Sequence, residues 1–472
     1  MGEIAAKGII SLLPVILTLV LAFTTKDAIV SLIVGCISGV VIAGFDPATG
    51  MSKLFQHALG NGDFIWVVMI EIAIGIMIAF YFKAGVITAF AEVASKRIKT
   101  RRQASGIGWV MGVLIFFSDY FSPLFSGPIA RPLTDKHKIS REMLAYELDS
   151  GSAPVCTIIP LSAWAVYIAG LLKGYGPIQT AEQGMNAFVR SIPYNFYGIL
   201  AVALAGLIAY QIIPNFGPMK KAEARALNEG KVIRDGGTPM SGIEMEQITA
   251  TEGKKPNLVA YLLVPVVIVI GIALGTFLIL GSTKTLEAFF AAVMYQAVAL
   301  TIGGYFTSVK DGMDTAIRGI KAVIPAILIL ALAYCINDIS KVLGAQKFIF
   351  EMAQGWMTPA MLPLATFLAG AMISFFTGTS WGTYAILTPF CLPLAMQLSG
   401  NTVSTLVLVT IGAIVGGGCF GDHCSPVSDT SCLSSFGASS DHMDHVTTQL
   451  PYALTAGVIS AVLFGFMGLV LV

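Results

Sequence analysis

Residues 403–430 read VSTLVLVTIGAIVGGGCFGDHCSPVSDT, an apolar run that passes directly into a polar segment. The apolar part, 403–420, is close to the ~20 residues that an α-helix needs to cross a bilayer. The polar part carries two carboxylates, an imidazole and three hydroxyls around Pro426. Ionisable side chains in a membrane are costly unless they face protein or water, and a helix breaks at membrane depth only where its backbone lines a cavity. The stretch therefore predicts a broken membrane helix of the kind found in ion-coupled transporters.

The whole chain is far more apolar than a soluble protein. Of its 472 residues 56% are hydrophobic and 12% are charged, and the mean hydropathy is +0.80. Soluble domains average about 25% charged residues. The net charge of +1 gives no sign of a nucleic-acid partner, and no G-x-x-x-x-G-K-[ST] phosphate loop occurs. Composition therefore predicts an all-α polytopic membrane protein without a cofactor, and it argues against a nucleotide-driven pump.

Apolar segments long enough to cross or enter a bilayer recur along the whole chain, and not all of them need to cross. They lie near 8–23, 28–44, 64–82, 104–117, 144–172, 194–213, 257–281, 285–303, 321–339, 360–376, 381–398, 403–420 and 450–472.

Basic residues are concentrated in three of the connections, 96–102, 131–141 and 220–255. By the positive-inside rule these three connections face the cytoplasm. The segment between the first two must then enter and leave on one side, as a re-entrant hairpin broken around 118–128. Connections 355–362 and 399–402 lack Lys and Arg and are expected to face outward.

The second half repeats the plan of the first with opposite charge bias. Phe116-Phe117-Ser118 is matched by Phe375-Phe376-Thr377, and Pro154-Val155 by Pro426-Val427. This pattern is typical of inverted repeats. We therefore predict a first repeat at 1–213, a cytoplasmic linker at 214–256 and a second repeat at 257–472, each repeat with about five transmembrane helices and a re-entrant hairpin. The linker is expected to carry no chemistry, and its Glu223 is expected to be a solvated charge.

Oxygen-rich clusters stand at each predicted break. Carboxylates, hydroxyls and freed carbonyls suit a hard cation such as sodium. Burial disfavours the charged form of a carboxylate, so such an acid can also exchange a proton for a cation. The candidate ion- or substrate-binding residues are Asp119, Ser122, Asp149, Ser150, Ser152, Thr377, Thr379, Ser380, Asp422, His423, Ser425 and Asp429. The residues expected to hold sodium are Asp149, Thr379, Asp422 and Ser425.

Structural roles compete with each of these assignments. Hydroxyls in membrane helices often bond only to a backbone carbonyl, and a buried acid can cap a broken helix or join an ion pair. His423 is either a pH sensor or a bond to a helix end. Glu71, inside the third apolar segment, is either a site acid or a packing contact. Asp441 to His445 superficially resemble a metal cluster, but the sequence places them in a loop.

The sequence 380–383, SWGT, together with 421–430 and the stretch 444–454, resembles the NhaC-type sodium/proton antiporter family. The resemblance is carried in the first half by Ser118-Asp119-Tyr120 and 149–154. It implies a multi-pass carrier of the bacterial inner membrane with inverted repeats, an elevator-type transport domain, and sodium and protons as coupling ions. Some relatives move organic acids such as malate and lactate, and others amino acids. The resemblance is also compatible with a homodimer in the lipid bilayer.

Three functions are therefore weighed. Sodium/proton antiport is favoured, with no enzymatic activity. The alternative is sodium- or proton-coupled transport of a small organic solute, for which Trp381 and Tyr120 would form cavity walls. The remote alternative is an intramembrane hydrolase that uses Ser380 and His423, but the acids outnumber any nucleophile and base.

Overall fold

The computed structural model describes residues 7–25, 27–116, 119–160, 162–240, 248–280, 284–355 and 357–471. Within these ranges the regular structure is helical, apart from two isolated β-bridges. The α-helices are α1 (Leu13–Thr25), α2 (Ala28–Ile42), α3 (Pro47–Leu59), α4 (Gly62–Lys83), α5 (Val86–Ser95), α6 (Arg101–Leu114), α7 (Phe121–Lys136), α8 (Arg141–Ser150), α9 (Ala153–Cys156), α10 (Ala163–Leu172), α11 (Ala181–Ser191), α12 (Phe196–Ala209), α13 (Gly217–Glu229), α14 (Val264–Leu280), α15 (Thr285–Ile302), α16 (Val309–Val342), α17 (Ala345–Gln354), α18 (Leu362–Thr377), α19 (Ser380–Leu398), α20 (Thr405–Cys424), α21 (Asp429–Ala438) and α22 (His442–Val470).

The described helices confirm the all-α polytopic membrane fold. Six of them are long and apolar enough to cross a bilayer, and up to eight spans result if each of two bent pairs is counted as one. The predicted segment 144–172 is divided into α8, α9 and α10. Sequence inspection missed the helices with mixed polarity, such as α3 and α11.

Residues 441–445 were predicted to form a loop, and this prediction was wrong. The Asp441 side chain accepts a hydrogen bond from the backbone N–H of Asp444 at 3.0 Å and so caps α22. An N-cap carboxylate satisfies backbone donors that the first helical turn leaves free. Both histidines of this stretch are therefore buried in the first turn of α22.

Most of the helices pack as two units, each drawn from both halves of the chain. Helices α1–α4 and α14–α16, here called the scaffold, share one large apolar core. Helices α6–α10 and α18–α21, here called the core unit, pack around the four helix breaks. One face of α7 and α21, with Leu124, Phe125, Cys432 and Phe436, packs against the scaffold.

The three basic connections lie on one face of the protein. Arg101, at the start of α6, bonds Glu223 of the linker helix α13 at 2.5 Å and the carbonyl oxygen of Lys138 at 3.3 Å. The backbone N–H of Ser140 donates to Glu223 at 2.8 Å. We call this side the linker face. Glu223 is therefore buried and paired, and the expectation of a solvated charge was wrong.

The broken helices of the two halves run in opposite directions. Helices α6 and α8 lie side by side and begin at the linker face, with Ser105 donating to Glu147 at 2.5 Å. Helices α18 and α20 are also parallel, because Gly417 lies against Phe367 and Gly421 against Ala371. They run towards the linker face, since α20 is continued by α21, whose last carbonyl oxygen, that of Ala438, accepts from Arg141 at 3.1 Å.

Candidate ion-binding site

Two helix breaks of the second half meet inside the core unit. Helix α18 ends at Gly378, which has φ of 67°, and α19 starts at Ser380. A side chain at Gly378 would be strained by this φ, and its Cβ would lie 2.2 Å from the carbonyl oxygen of Val427. Val427 belongs to the Pro426 break between α20 and α21. The chain therefore places freed backbone groups and polar side chains of both breaks together.

Asp422, in the last turn of α20, takes hydroxyl donors from both breaks. Ser428 donates to its Oδ1 at 2.6 Å, and Ser380 donates a short hydrogen bond to its Oδ2. Ser428 Oγ also lies 3.1 Å from the Thr430 hydroxyl. Asp422 is thus buried, and each of its carboxylate oxygens accepts a hydrogen bond from a hydroxyl.

Asp149, at the end of α8, has one carboxylate oxygen held and one free. Its Oδ2 accepts from Ser431 at 2.8 Å and from the amide of Gln449 at 2.7 Å. Its Oδ1 has no hydrogen-bond partner among the described residues. His445 Nε2 lies 3.8 Å from Oδ2. The free oxygen leaves this acid able to take a proton or a cation.

Asp429 and Asp119 face the scaffold. Asp429 accepts from the Tyr120 hydroxyl at 2.7 Å and from the backbone N–H of Thr430 at 2.8 Å. Asp119, at the break between α6 and α7, is 3% exposed, and its Oδ2 has no partner within the described ranges. Both acids line a cavity between the scaffold and the core unit.

This cavity has a volume of about 480 Å³. Its polar side is formed by Asp119, Asp429, Thr377 and Thr379, its aromatic walls by Trp66, Tyr120, Tyr167, Tyr334 and Trp381, and its outer end by Asn61, Asn337, Asp338 and Lys341. Asp338 and Lys341 lie in the last turns of α16. The first turn of α16 lies near the linker, because its Asp311 pairs with Lys83 and the carbonyl oxygen of Lys83 accepts from the backbone N–H of the linker residue Thr251. The cavity therefore lies towards the side opposite the linker face.

The acids form one electrostatic group. Asp429 interacts with Asp119, Asp149 and Asp422. Among the described residues, none of these four forms an ion pair with Lys or Arg. Unpaired buried carboxylates are costly, so a proton or a cation must compensate them.

Six of the seven predicted hydroxyl residues divide into two groups. Thr377 and Thr379 line the cavity, and Ser380 bonds Asp422. Three others support the helix breaks, because Ser122, Ser152 and Ser425 donate to backbone carbonyls. For these three the contacts match the structural alternative.

His423 lies away from the cavity. Its Nε2 is 3.1 Å from the hydroxyl oxygen of Ser150, a predicted site residue, and its Nδ1 is 2.7 Å from the Tyr197 hydroxyl oxygen. The ring therefore joins α20 to α8 and α12. This contact pattern matches a structural role.

Ser428, Ser431 and Gln449 are partners of the acids that were not among the candidate residues named from the sequence. Ser428 stands in the polar stretch, Ser431 directly follows it and Gln449 stands in the stretch 444–454, so the signal was present. Glu71 was left open. It is 1% exposed, neither carboxylate oxygen has a partner in the described part of the chain, and it interacts electrostatically with Asp429. Glu71 thus belongs to the acidic group from the scaffold side.

No group of three or more His, Cys, Asp or Glu side chains within the described residues is placed to hold a metal ion. A cation at this site would therefore take hydroxyl and carbonyl oxygens besides the carboxylates. Sodium accepts such mixed oxygen ligands where helices are broken.

Known proteins resemble this chain over different lengths. An uncharacterized protein of Haemophilus influenzae is 33% identical over 97% of this chain and 90% of its own length. A malate-2H(+)/Na(+)-lactate antiporter of Bacillus subtilis is 29% identical over 43% of this chain and 42% of its own. The Na(+)/H(+) antiporter NhaC of Alkalihalophilus pseudofirmus is 28% identical over 37% of each chain.

A family model, that of the Na+/H+ antiporter family, matches residues 155–469. This range contains both breaks of the second half and the acids Asp422 and Asp429. It covers more than half of the chain. The protein therefore belongs to the Na+/H+ antiporter family and is a multi-pass membrane transporter rather than an enzyme.

Proposed function

We propose that the protein exchanges sodium ions for protons across the bacterial inner membrane, at a site built by Asp119, Asp149, Asp422 and Asp429. The observation that carries this proposal is that four buried aspartates interact where the helix breaks meet, without a Lys or Arg ion pair among the described residues. Such acids bind either protons or a hard cation, and competition between the two is the simplest mechanism of antiport.

We place the sodium ion near Asp422, Asp429 and Thr379. Thr379 and Asp429 line the cavity, and Asp422 lies directly behind Ser380. The cavity supplies a route for a cation. Asp149 does not line the cavity, and its Oδ2 is already held by two donors. We therefore assign Asp149 to proton binding.

The proposed transport cycle moves the core unit against the scaffold. Two features support it: the cavity lies between the two units, and the broken helices of the two halves run in opposite directions. Opposite directions are expected of inverted repeats, which carriers use to alternate access. The elevator motion and a homodimer stay predictions from the family likeness.

The test uses purified protein in liposomes with an imposed pH gradient. Wild-type protein should drive radioactive sodium uptake, and Asp149→Asn or Asp422→Asn should abolish it while the protein remains inserted and monodisperse. Asn keeps the shape of the side chain but removes its charge and its exchangeable proton. The matched control is Asp235→Asn. The side chain of Asp235, in the linker, is 79% exposed, so this variant should transport sodium normally. Wild-type flux from both buried variants would show that these acids are structural.

A second candidate is coupled transport of a small organic solute. The cavity favours it, because about 480 Å³ with aromatic walls exceeds what one sodium ion requires. The similarity to a malate-2H(+)/Na(+)-lactate antiporter points to a carboxylate, and Lys341 at the outer end could pair with one. Uptake of labelled lactate, malate and amino acids should be measured under imposed sodium and proton gradients. Gradient-driven uptake of any of these would favour the solute carrier, and uptake of sodium alone would favour the antiporter.

A further inference from the structure

A second buried polar cluster lies between Asp149 and the linker face. The Ser435 hydroxyl oxygen, in α21, lies 2.8 Å from His445 Nδ1 and 3.0 Å from His442 Nδ1. All three side chains are at most 3% exposed. None of the three lines the cavity.

The outer nitrogen of each ring must carry a hydrogen. His442 Nε2 lies 2.9 Å from the carbonyl oxygen of Pro426, which can only accept. His445 Nε2 lies 2.8 Å from Gln449 Oε1. The amide nitrogen of Gln449 donates to Asp149 and to the carbonyl of His423, so its oxygen is the atom that faces His445. A neutral imidazole carries one hydrogen, and both Nδ1 atoms are therefore bare when the rings are neutral.

The cluster is then one hydrogen short. The Ser435 hydroxyl has a single hydrogen, but two bare Nδ1 atoms and the carbonyl oxygen of Ser431, at 2.8 Å, surround it. Adding one proton to either Nδ1 lets that ring donate to Ser435 Oγ while Ser435 donates to the other ring. Buried polar groups favour such complete pairing. We propose that Ser435, His442 and His445 form a proton-binding site that holds one proton shared between the two rings.

Acids at both ends of the cluster compensate the added charge. His445 Nε2 lies 3.8 Å from Asp149 on α8, and His442 interacts electrostatically with Asp441 at the N-cap of its own helix. His423 interacts electrostatically with His445 but is bonded to Ser150 and Tyr197.

Two further charged groups at this end already have partners of opposite charge. Asp444 bonds Arg234 at 2.7 Å, and Arg141 on α8 bonds Asp135 at 2.7 Å. A buried imidazolium is costly unless it is paired. The acids Asp149 and Asp441 supply that pairing in their deprotonated forms.

Ser435 also connects the two rings as a relay. When His442 Nδ1–H gives its proton to Ser435 Oγ and the Ser435 hydroxyl gives its own proton to His445 Nδ1, one proton has moved towards Asp149 and no atom is gained or lost. His442 follows Asp441 in the chain, and the Asp441 carboxylate accepts from the backbone N–H of the linker residue Thr238 at 2.9 Å. The cluster therefore provides a proton path between the two rings that does not pass through the cavity. It is defined by hydrogen bonds alone and does not depend on which ion or solute is transported.

The test is nitrogen NMR of the protein with ¹⁵N-labelled histidine rings in lipid bilayers. At pH about 7.5, one unit above the ordinary histidine pKa of ~6.5, we expect an imidazolium signal from the His442–His445 pair. It should disappear in His442→Gln and in His445→Gln, because one hydroxyl hydrogen then suffices for the remaining Nδ1. It should persist in His57→Gln and His137→Gln. Absence of any imidazolium signal that depends on His442 or His445 overturns the proposal.

A second pair of variants separates the relay from a packing role. Ser435→Ala keeps both rings but removes the bridging oxygen, so the imidazolium signal should shift or vanish. The control is Ser460→Ala, which should leave the spectrum unchanged. Ser460 is a buried serine of α22 whose hydroxyl, within the described residues, donates only to the Ala456 carbonyl, at 2.7 Å. A Ser435→Ala protein that is less thermostable but keeps the wild-type imidazolium signal would show that Ser435 only packs, and would also overturn the proposal.

Discussion

At the scale of single residues, the site depends on carboxylates that the protein keeps away from basic partners. Asp422 shows the principle, because its two oxygens accept from the hydroxyls of Ser428 and Ser380 rather than from a cation. Hydroxyls stabilise the carboxylate through hydrogen bonds but do not cancel its charge. The carboxylate is therefore left without a basic partner, as the proposed ion site requires.

Competition for such an acid predicts how sodium transport depends on pH. A protonated carboxylate has lost the charge that attracts sodium, so the apparent KM for sodium should rise as pH falls. For one competing proton the rise approaches about tenfold per pH unit below the titration point of the acid. Sodium uptake into liposomes should be measured from about pH 9 to about pH 6. A KM that stays constant over this range would contradict direct competition.

Two glutamates of the linker helix α13 provide a residue-scale test of the linker face. Glu223 is 7% exposed and bonds Arg101 and the N–H of Ser140, whereas Glu229 is 57% exposed and lies 3.8 Å from Lys231. Removing the charge of a buried, doubly bonded carboxylate costs about 1–3 kcal/mol, while an exposed pair contributes roughly 0–1 kcal/mol. Glu223→Gln should lower the melting temperature in detergent, and Glu229→Gln should leave it nearly unchanged. Equal melting temperatures would show that the contacts of Glu223 carry little energy.

At the scale of helices, the core unit depends on close approach between elements of the two halves. Helices α7 and α21 touch backbone to backbone, because a Cβ at Gly127 would lie 2.3 Å from the carbonyl group of Gly437. Small residues let membrane helices pack in this way. The acid Asp429 starts α21 and Tyr120 precedes α7, so this contact also fixes the hydrogen bond between them.

A pair of glycine variants tests this helix contact. Gly127→Ala should separate α7 from α21 and destabilise the protein by about 1–3 kcal/mol or more, since neither backbone can move aside easily. Gly275→Ala in α14, where a Cβ meets nothing within 4 Å, should be neutral. Thermal unfolding and sodium uptake of both proteins would check this. A Gly127→Ala protein as stable as Gly275→Ala would mean that the two helices can move apart at little cost.

At the scale of the whole molecule, the core unit is expected to move relative to the scaffold. Cys432 in α21 lies with its sulfur 3.9 Å from the carbonyl oxygen of Ala326 in α16. A protein with Ala326→Cys that keeps Cys432 but lacks the other six native cysteines could be bridged by mercuric ion. Transport should stop on bridging and return after addition of a thiol, because the bridge fixes the two units.

The matched control for this experiment is a bridge within the scaffold. Native Cys36 in α2 interacts electrostatically with Cys335 in α16, and both are buried. A protein that keeps only these two cysteines should transport sodium with or without mercuric ion. If the bridge between Cys432 and residue 326 forms and transport continues, the two units do not move against each other there.

The orientation in the membrane gives a further prediction for the whole molecule. Asn228 in the linker helix and Thr402 between α19 and α20 are exposed, and we expect them on opposite sides of the bilayer. The neighbouring Asn401 has φ of 56°, a left-handed backbone conformation that would strain a cysteine, so the cysteine is placed at Thr402. Single cysteines at the two positions, in a protein without native thiols, should react with an impermeant reagent from opposite sides of the cell membrane. Labelling of both from one side would exclude the inverted repeat.

The sequence by itself determined the membrane class, most of the spans and the positions of the helix breaks. These properties follow from local composition, because hydrocarbon requires apolar side chains and helical backbone whatever the tertiary contacts are. Acids and prolines inside apolar runs, as at Asp422 and Pro426, predict the proposed site for the same reason. The family likeness in the second half came from the same local stretches.

Only the tertiary structure decided which polar residues meet. Asp149 is joined to Ser431 and Gln449, which are distant in sequence, and Ser425 turns out to bond a carbonyl of α18. Such contacts depend on how helices from the two halves pack. A single sequence gives no distances between residues that are far apart along the chain. The same reason explains Glu223, because its partners Arg101 and Ser140 belong to other segments. It also explains the cluster around Ser435, where three ordinary polar residues become one hydrogen-bonded unit only after α21 and α22 pack together.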